Sequence, residues 1–239
     1  MKVEGAPMRS FLLVTAATLT LSAPASAATR NFGITDFSKV RVDGPFKVSL
    51  STGVAPFAKA SGSPEALDRV AIDVRGDTLV VHSNASTWGG YPGKDSGPVE
   101  ISLGTHDLTN AWLNGAGSLS IDRVKGLTFG LSVQGAGGAE IGTVSVDQMN
   151  VSLVGTANAK LSGKTGKLTA LVRGMSTFSG AGLTAHDATL GAEGASTIDA
   201  NVSGTVSLDA SGTATIRFAG QPSCTLKVVG STSISGCRP

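Results

Sequence analysis

The stretch "VQGAGGAEI", Val133 to Ile141, sets three glycines and two alanines between two short β-forming runs. Glycine weakens a regular element, so a cluster of it needs a reason. With Gly135 as anchor, apolar residues stand two and four before it (Val133, Leu131) and four and six after it (Ala139, Ile141). The same template fits at Gly115, Gly155, Gly174, Gly194, Gly212 and Gly230, at intervals of 20, 20, 19, 20, 18 and 18 residues. Seven copies at one period make an array. Each window reads as two period-2 strands around a small-residue turn, and a lone window cannot bury its apolar row. Stacked windows bury it. The expected fold is all-β: a right-handed parallel β-helix (β-solenoid) of about seven coils of 18–20 residues, the hand following from chain chirality.

The anchor glycine then sits where the chain bends with φ > 0, which costs little only without a Cβ. The two positions after it are also small in nearly every window, from Ala116-Gly117 to Ser231-Thr232, with Met175 the exception. Bulk at either position is expected to clash with the bend below. Five residues after each anchor the side chain is polar throughout: Ser120, Glu140, Lys160, Ser179, Asp199, Arg217 and Ser235. This row reads as a solvated face on which Glu140 neighbours Lys160 and Asp199 neighbours Arg217.

Ahead of the array the pattern loosens. Val40, Val42, Gly44, Val48 and Leu50 fit the template, so a coil-like strand pair opens the domain. In "SPEALDRV", Ser63 is placed to cap a short helix with Pro64 in first position. Ile72-x-Val74 and Leu79-x-Val81 form a strand pair across a turn at Gly76-Asp77, and Val99-x-Ile101-x-Leu103 adds a strand. Asn84 to Pro98 lacks apolar alternation and reads as a long exposed loop.

Residues 1–27 read as a signal peptide: Lys2 and Arg9, an apolar run from Phe11 to Leu21, then Ala25-Ser26-Ala27 at the cleavage site, with Met8 an alternative start. Residues 28–107 form the β-rich N-terminal part of the domain and 108–239 the repeat solenoid. The chain carries 19 basic and 17 acidic residues, so losing Lys2, Arg9 and Glu4 with the leader leaves a net charge of +1. That is no nucleic-acid signature. No later stretch is apolar enough to span a membrane, so the expectation is an exported protein, periplasmic, secreted or at the cell surface. Cys224 and Cys237 are expected to form a disulfide that, with Pro239 beyond it, stops the array.

The order "FSKVRVDGPFKVSLSTG", "GSPEALDRVAIDVRGDTLVVHS", "GPVEISLGTHDLTNAWLNGAGSLSI" and then glycine-anchored repeats resembles the exported bacterial head GIN domain proteins. That family is labelled auto-transporter adhesins and is of unknown function. The resemblance covers about residues 30 to 237 and implies a right-handed β-helix, in some members compared with pectinases. It supplies no catalytic motif. A β-solenoid offers long polar faces, so the expectation is a non-enzymatic surface protein whose partners are polysaccharides or other cell-surface components.

Trp88 and Tyr91 in the long loop, and Trp112 on an outward position, are the aromatics on which a sugar would stack. The competing reading packs Trp112 beneath the loop with Trp88. A second functional class, a polysaccharide lyase or hydrolase, needs paired carboxylates or carboxylate-bound Ca²⁺. Glu140 and Asp199 share a row but stand three coils apart, and His82, His106 and His186 are dispersed. No P-loop, nucleophile elbow or His/Cys metal spacing is present, and no catalytic residue, cofactor or metal is expected. The oligomeric state is open.

Overall fold

The computed structural model describes residues 28–84 and 97–238. Residues 1–27, expected to be a signal peptide, and the tip of the long loop, with Trp88 and Tyr91, lie outside the described residues. Chain order runs β1 (Ala28–Phe32), β2 (Lys39–Asp43), β3 (Lys47–Thr52), β4 (Phe57–Gly62), α1 (Pro64–Asp68), β5 (Val70–Arg75), β6 (Thr78–Ser83), β7 (Glu100–Thr105) and β8 (Asn110–Gly115). Four long strands follow: β9 (Ser118–Gly135), β10 (Gly138–Gly155), β11 (Asn158–Gly174) and β12 (Thr177–Gly194). Then come β13 (Thr197–Val202), β14 (Thr205–Gly212), β15 (Thr215–Ala219), β16 (Ser223–Gly230) and β17 (Ser233–Ser235).

The protein is a parallel β-solenoid. On a first face, strands leading into the corner glycines stack in the order β6, β2, β8, then the ends of β9 to β12, then β14 and β16, all parallel. On a second face, strands leaving the corners stack as β7, β3, the starts of β9 to β12, β13, β15 and β17. A third face, which the two-strand template missed, is formed by the middles of β9 to β12 and the end of β13. Its apolar row is too short to show in sequence; Val124, Val144, Leu183 and Ala185 are buried there. Register slips of a residue or more between coils fall at the entry to this face, between Ile141 and Val144 and between Gly180 and Thr184. They absorb the shorter periods.

The corner column explains the opening stretch. Gly115, Gly135, Gly155, Gly174, Gly194, Gly212 and Gly230 all have φ between 83° and 112°. Gly135 is representative: a Cβ there would lie 2.7 Å from the carbonyl oxygen of Gly115. That oxygen accepts a hydrogen bond from the Ala136 N–H at 3.0 Å, so the sheet ladder runs through the bend and leaves no room for a side chain. The two following positions differ from expectation. The second points inward and is buried, as in Ala157, Ser176, Ser196 and Ala214, and is truly confined. The first points to solvent in every coil, so Met175 stands 68% exposed and clashes with nothing.

The N-terminal end is non-sequential. The β2–β3 coil is first in sequence, yet β6 and β7 lie outside it and β8 and β9 inside it. Strand β5 closes the first face antiparallel to β6, while β4 closes the second antiparallel to β7 and β1 adds antiparallel to β4. Ser63 caps α1 by accepting from the Ala66 N–H, with Pro64 in the first turn.

At the other end Cys224 and Cys237 are bonded, with Cα atoms 5.8 Å apart. The disulfide does not bury the last coil. Leu226 and Val228, expected as core residues, are 44% and 40% exposed, because among the described residues β16 pairs with β14 alone and no further coil covers its apolar row.

Candidate functional site

Outward side chains of the first face form three columns fixed by register. The middle column reads Val80, Arg41, Trp112, Ser132, Ser152, Leu171, Gly191, Asp209, Lys227 across successive strands. Trp112 points outward, as its place between the buried Ala111 and Leu113 requires, and is half-buried. An open cleft of about 620 Å³ borders one side of it, lined by Arg41, Asp43, Thr78, Asn114 and Gln134 with the indole. A shallower depression of about 160 Å³ borders the other, over Asn110, Gly130, Ser132, Asn150 and Ser152.

Most charges on this face are paired, Arg75 on β5 being exposed and in no ion pair among the described residues. Arg41 Nε lies 2.8 Å from Asp43 Oδ2, and the Asn114 amide donates to Asp43 Oδ1 at 2.6 Å. Lys39 reaches Asp77 at 2.9 Å, and this ammonium holds the Asp77 carboxyl below the ordinary carboxylate range. Lower on the face, Arg173 pairs with Glu193 and Lys227 with Asp209, each at 2.9 Å. The second face behaves likewise: Lys160 meets Glu140 at 2.9 Å and Arg217 meets Asp199 at 3.2 Å, the ladder expected from the polar row.

The remaining titratable groups lie elsewhere. Each histidine stands beside a carboxylate: His82 with Asp73 at 2.9 Å, His106 with Asp36 at 3.4 Å, and His186 with Asp187 at 2.9 Å. Asp187 is the most perturbed. The Thr205 hydroxyl, then His186, then the Thr205 N–H hold its carboxyl far below the usual range. Among the described residues no group of three His, Cys, Asp or Glu side chains is placed to hold a metal. Sequence reasoning named Trp112 but missed Arg41, Asn114 and Gln134, which reach the indole only through register. It also missed Ser132 and Ser152, whose short side chains read as ordinary strand surface.

A parallel β-solenoid with antiparallel closing strands at one end and an aromatic on an open polar face is a recognisable class of repeat protein. The chain matches the family described as "Putative auto-transporter adhesin, head GIN domain" over residues 36–222, and belongs to it. Solved structures share the fold, three of them as follows. A "putative adhesin" from Bacteroides fragilis superimposes with a TM-score of 0.78 at 15% identity, over 88% of this chain and 96% of that one. A "putative lipid binding protein" from Parabacteroides distasonis gives 0.68 at 17% identity with the same coverage. A "putative adhesin" from Parabacteroides merdae gives 0.63 at 13%, again over 88% and 96%. Identities this low speak to the fold alone. No curated protein matches the chain.

Proposed function

We propose that the protein is exported and acts, without doing chemistry, as a cell-envelope or cell-surface binding protein that holds a glycan against Trp112. The observation that carries this reading is the half-buried, outward-facing indole with a depression on each side, one lined by amides, hydroxyls and the Arg41–Asp43 pair, the other by amides and hydroxyls. An aromatic face offers sugar C–H groups an apolar platform, while surrounding amides answer the hydroxyls. The leader-like N-terminus and the adhesin family support an exported, surface-facing setting. A binding role is further supported by the outward carboxylates Glu140 and Asp199, each engaged by a cation on the next strand rather than facing one another across a cleft. The test is Trp112→Ala, with retention on immobilised polysaccharides followed beside the melting temperature. Retention is expected to fall with melting little changed. Unchanged retention with a lowered melting temperature would make the indole a packing residue and overturn the reading.

A further inference from the structure

We infer that the ligand is an uncharged glycan chain lying along the solenoid axis, seated in a trough that runs from Trp112 over Ser132 and Ser152 to Leu171. This rests on Trp112 being the glycan contact and specifies what that site accepts. The shape follows from register. Ser132 and Ser152 occupy the two strands between Trp112 and Leu171 in the middle column. Two hydroxymethyl groups between two large side chains leave a depression three strand spacings long, about 14 Å at 4.8 Å per strand. Its lower end stays open because the large side chain there lies elsewhere. Leu171 leans away over Gly191, where a Cβ would sit 2.7 Å from its Cδ1. On one rim the Asn110 amide lies over Gly130, 2.5 Å from where a Cβ would be, and so stays low beside the trough floor.

The chemistry follows from the charges. The rims carry Asn110 and Asn150 on one side and Asn114 and Gln134, followed by Val154, on the other; the planar amides donate and accept as sugar hydroxyls do. No charged side chain lines the trough itself. Arg41 and Asp43 at its upper end neutralise each other at 2.8 Å, and Arg173 at its lower end is held by Glu193 at 2.9 Å. An anionic sugar would have to leave water without gaining an unpaired cation, and burying a charge without a partner is costly. Lys125 and Lys164 on the third face, Lys59 on β4 and Lys167 at the border of the first face are exposed and make no ion pair among the described residues, but none of them lines the trough. A polymer lying along the axis meets the same kind of hydroxyl floor at successive strands, which a ligand running along a single strand would not.

Affinity electrophoresis of the mature protein through gels holding dextran, mannan, a β-glucan, alginate or polygalacturonate separates the outcomes. Retardation by at least one uncharged polymer is expected, unaltered between low and high salt. It is expected to weaken about tenfold in Trp112→Ala and equally in Ser152→Trp, which fills the trough while leaving the indole in place. Retardation confined to alginate or polygalacturonate, falling with salt and still dependent on Trp112, would keep the glycan site but overturn the uncharged ligand. Retardation that Ser152→Trp leaves intact would overturn the trough. Loss of all Trp112 dependence would sink the site itself.

Discussion

Gly135 shows how one residue type is imposed by stacking. Its φ of 105° is strained for any side chain, and a Cβ would press on the Gly115 carbonyl at 2.7 Å. Gly135→Ala combines backbone strain with overpacking, each of order 1–3 kcal/mol, and is expected to cost about 3 kcal/mol in chemical denaturation. Met175→Ala, one position further along an equivalent corner, is expected to stay within about 0.5 kcal/mol because that side chain faces water. The inward corner position gives a second contrast. The Ser176 Oγ accepts from the Ala157 N–H at 3.2 Å and lies 2.9 Å from the Arg173 carbonyl, to which it donates. Ser176→Ala strands a buried N–H and is expected to cost about 1–2 kcal/mol. Ser196 occupies the same place one coil on, buried and without a partner for its Oγ, so Ser196→Ala is expected to be neutral or stabilising. Sequence separated glycine from the other residues at the corner. It did not separate inward from outward positions, because the bend breaks the period-2 alternation that tells them apart in a strand.

Elements in this fold are joined mostly by backbone ladders, and side-chain bonds between coils trim the edges. The Glu140–Lys160 pair is more than half exposed on both sides, so a double-mutant cycle is expected to give less than about 0.5 kcal/mol, shrinking with salt. Asp187 is a different kind of link. Its Oδ1 accepts from the Thr205 N–H at 2.8 Å and from the Thr205 hydroxyl at 2.6 Å, tying the end of the third face on β12 to the start of β14. The folded-state pKa lies below the unfolded one, so folding favours the carboxylate. The resulting stability is present in full above the unfolded value, near pH 4, and is lost as the pH falls through the folded one. Asp187→Asn is therefore expected to melt lower than wild type at neutral pH, with the gap closing on acidification; a gap constant with pH would contradict this assignment. The pair Glu140–Lys160 was legible in sequence because equivalent positions in adjacent windows are neighbours in space. The Asp187–Thr205 link was not, because it falls where two windows differ in length.

The whole molecule is a stack in which each coil leans on the one before and after it, so its two ends set its weak points. The N-terminal end is closed by the antiparallel strands β5, β4 and β1, whereas the last coil leaves Leu226, Val228 and Val229 exposed. Reduction of the Cys224–Cys237 bridge, whose chain-entropy contribution for a loop this short is about 3 kcal/mol, is expected to loosen that coil first. Hydrogen exchange should then speed up in β16 and β17 while β10 and β11 stay protected; uniform loss of protection would mean the array melts as one unit. By itself the sequence determined the period, the corner glycines, the inward apolar rows and the ladder of opposite charges. A repeat aligns each residue with its neighbour one coil away, so the period is already a contact map. Only the tertiary structure decided that the β2–β3 coil sits between β6–β7 and β8–β9, and so brought Asp43 against Asn114, 71 residues away, to set Trp112 beside a neutralised Arg41. Those contacts join segments that share no period, and nothing in a repeat specifies which irregular strand will close its open end.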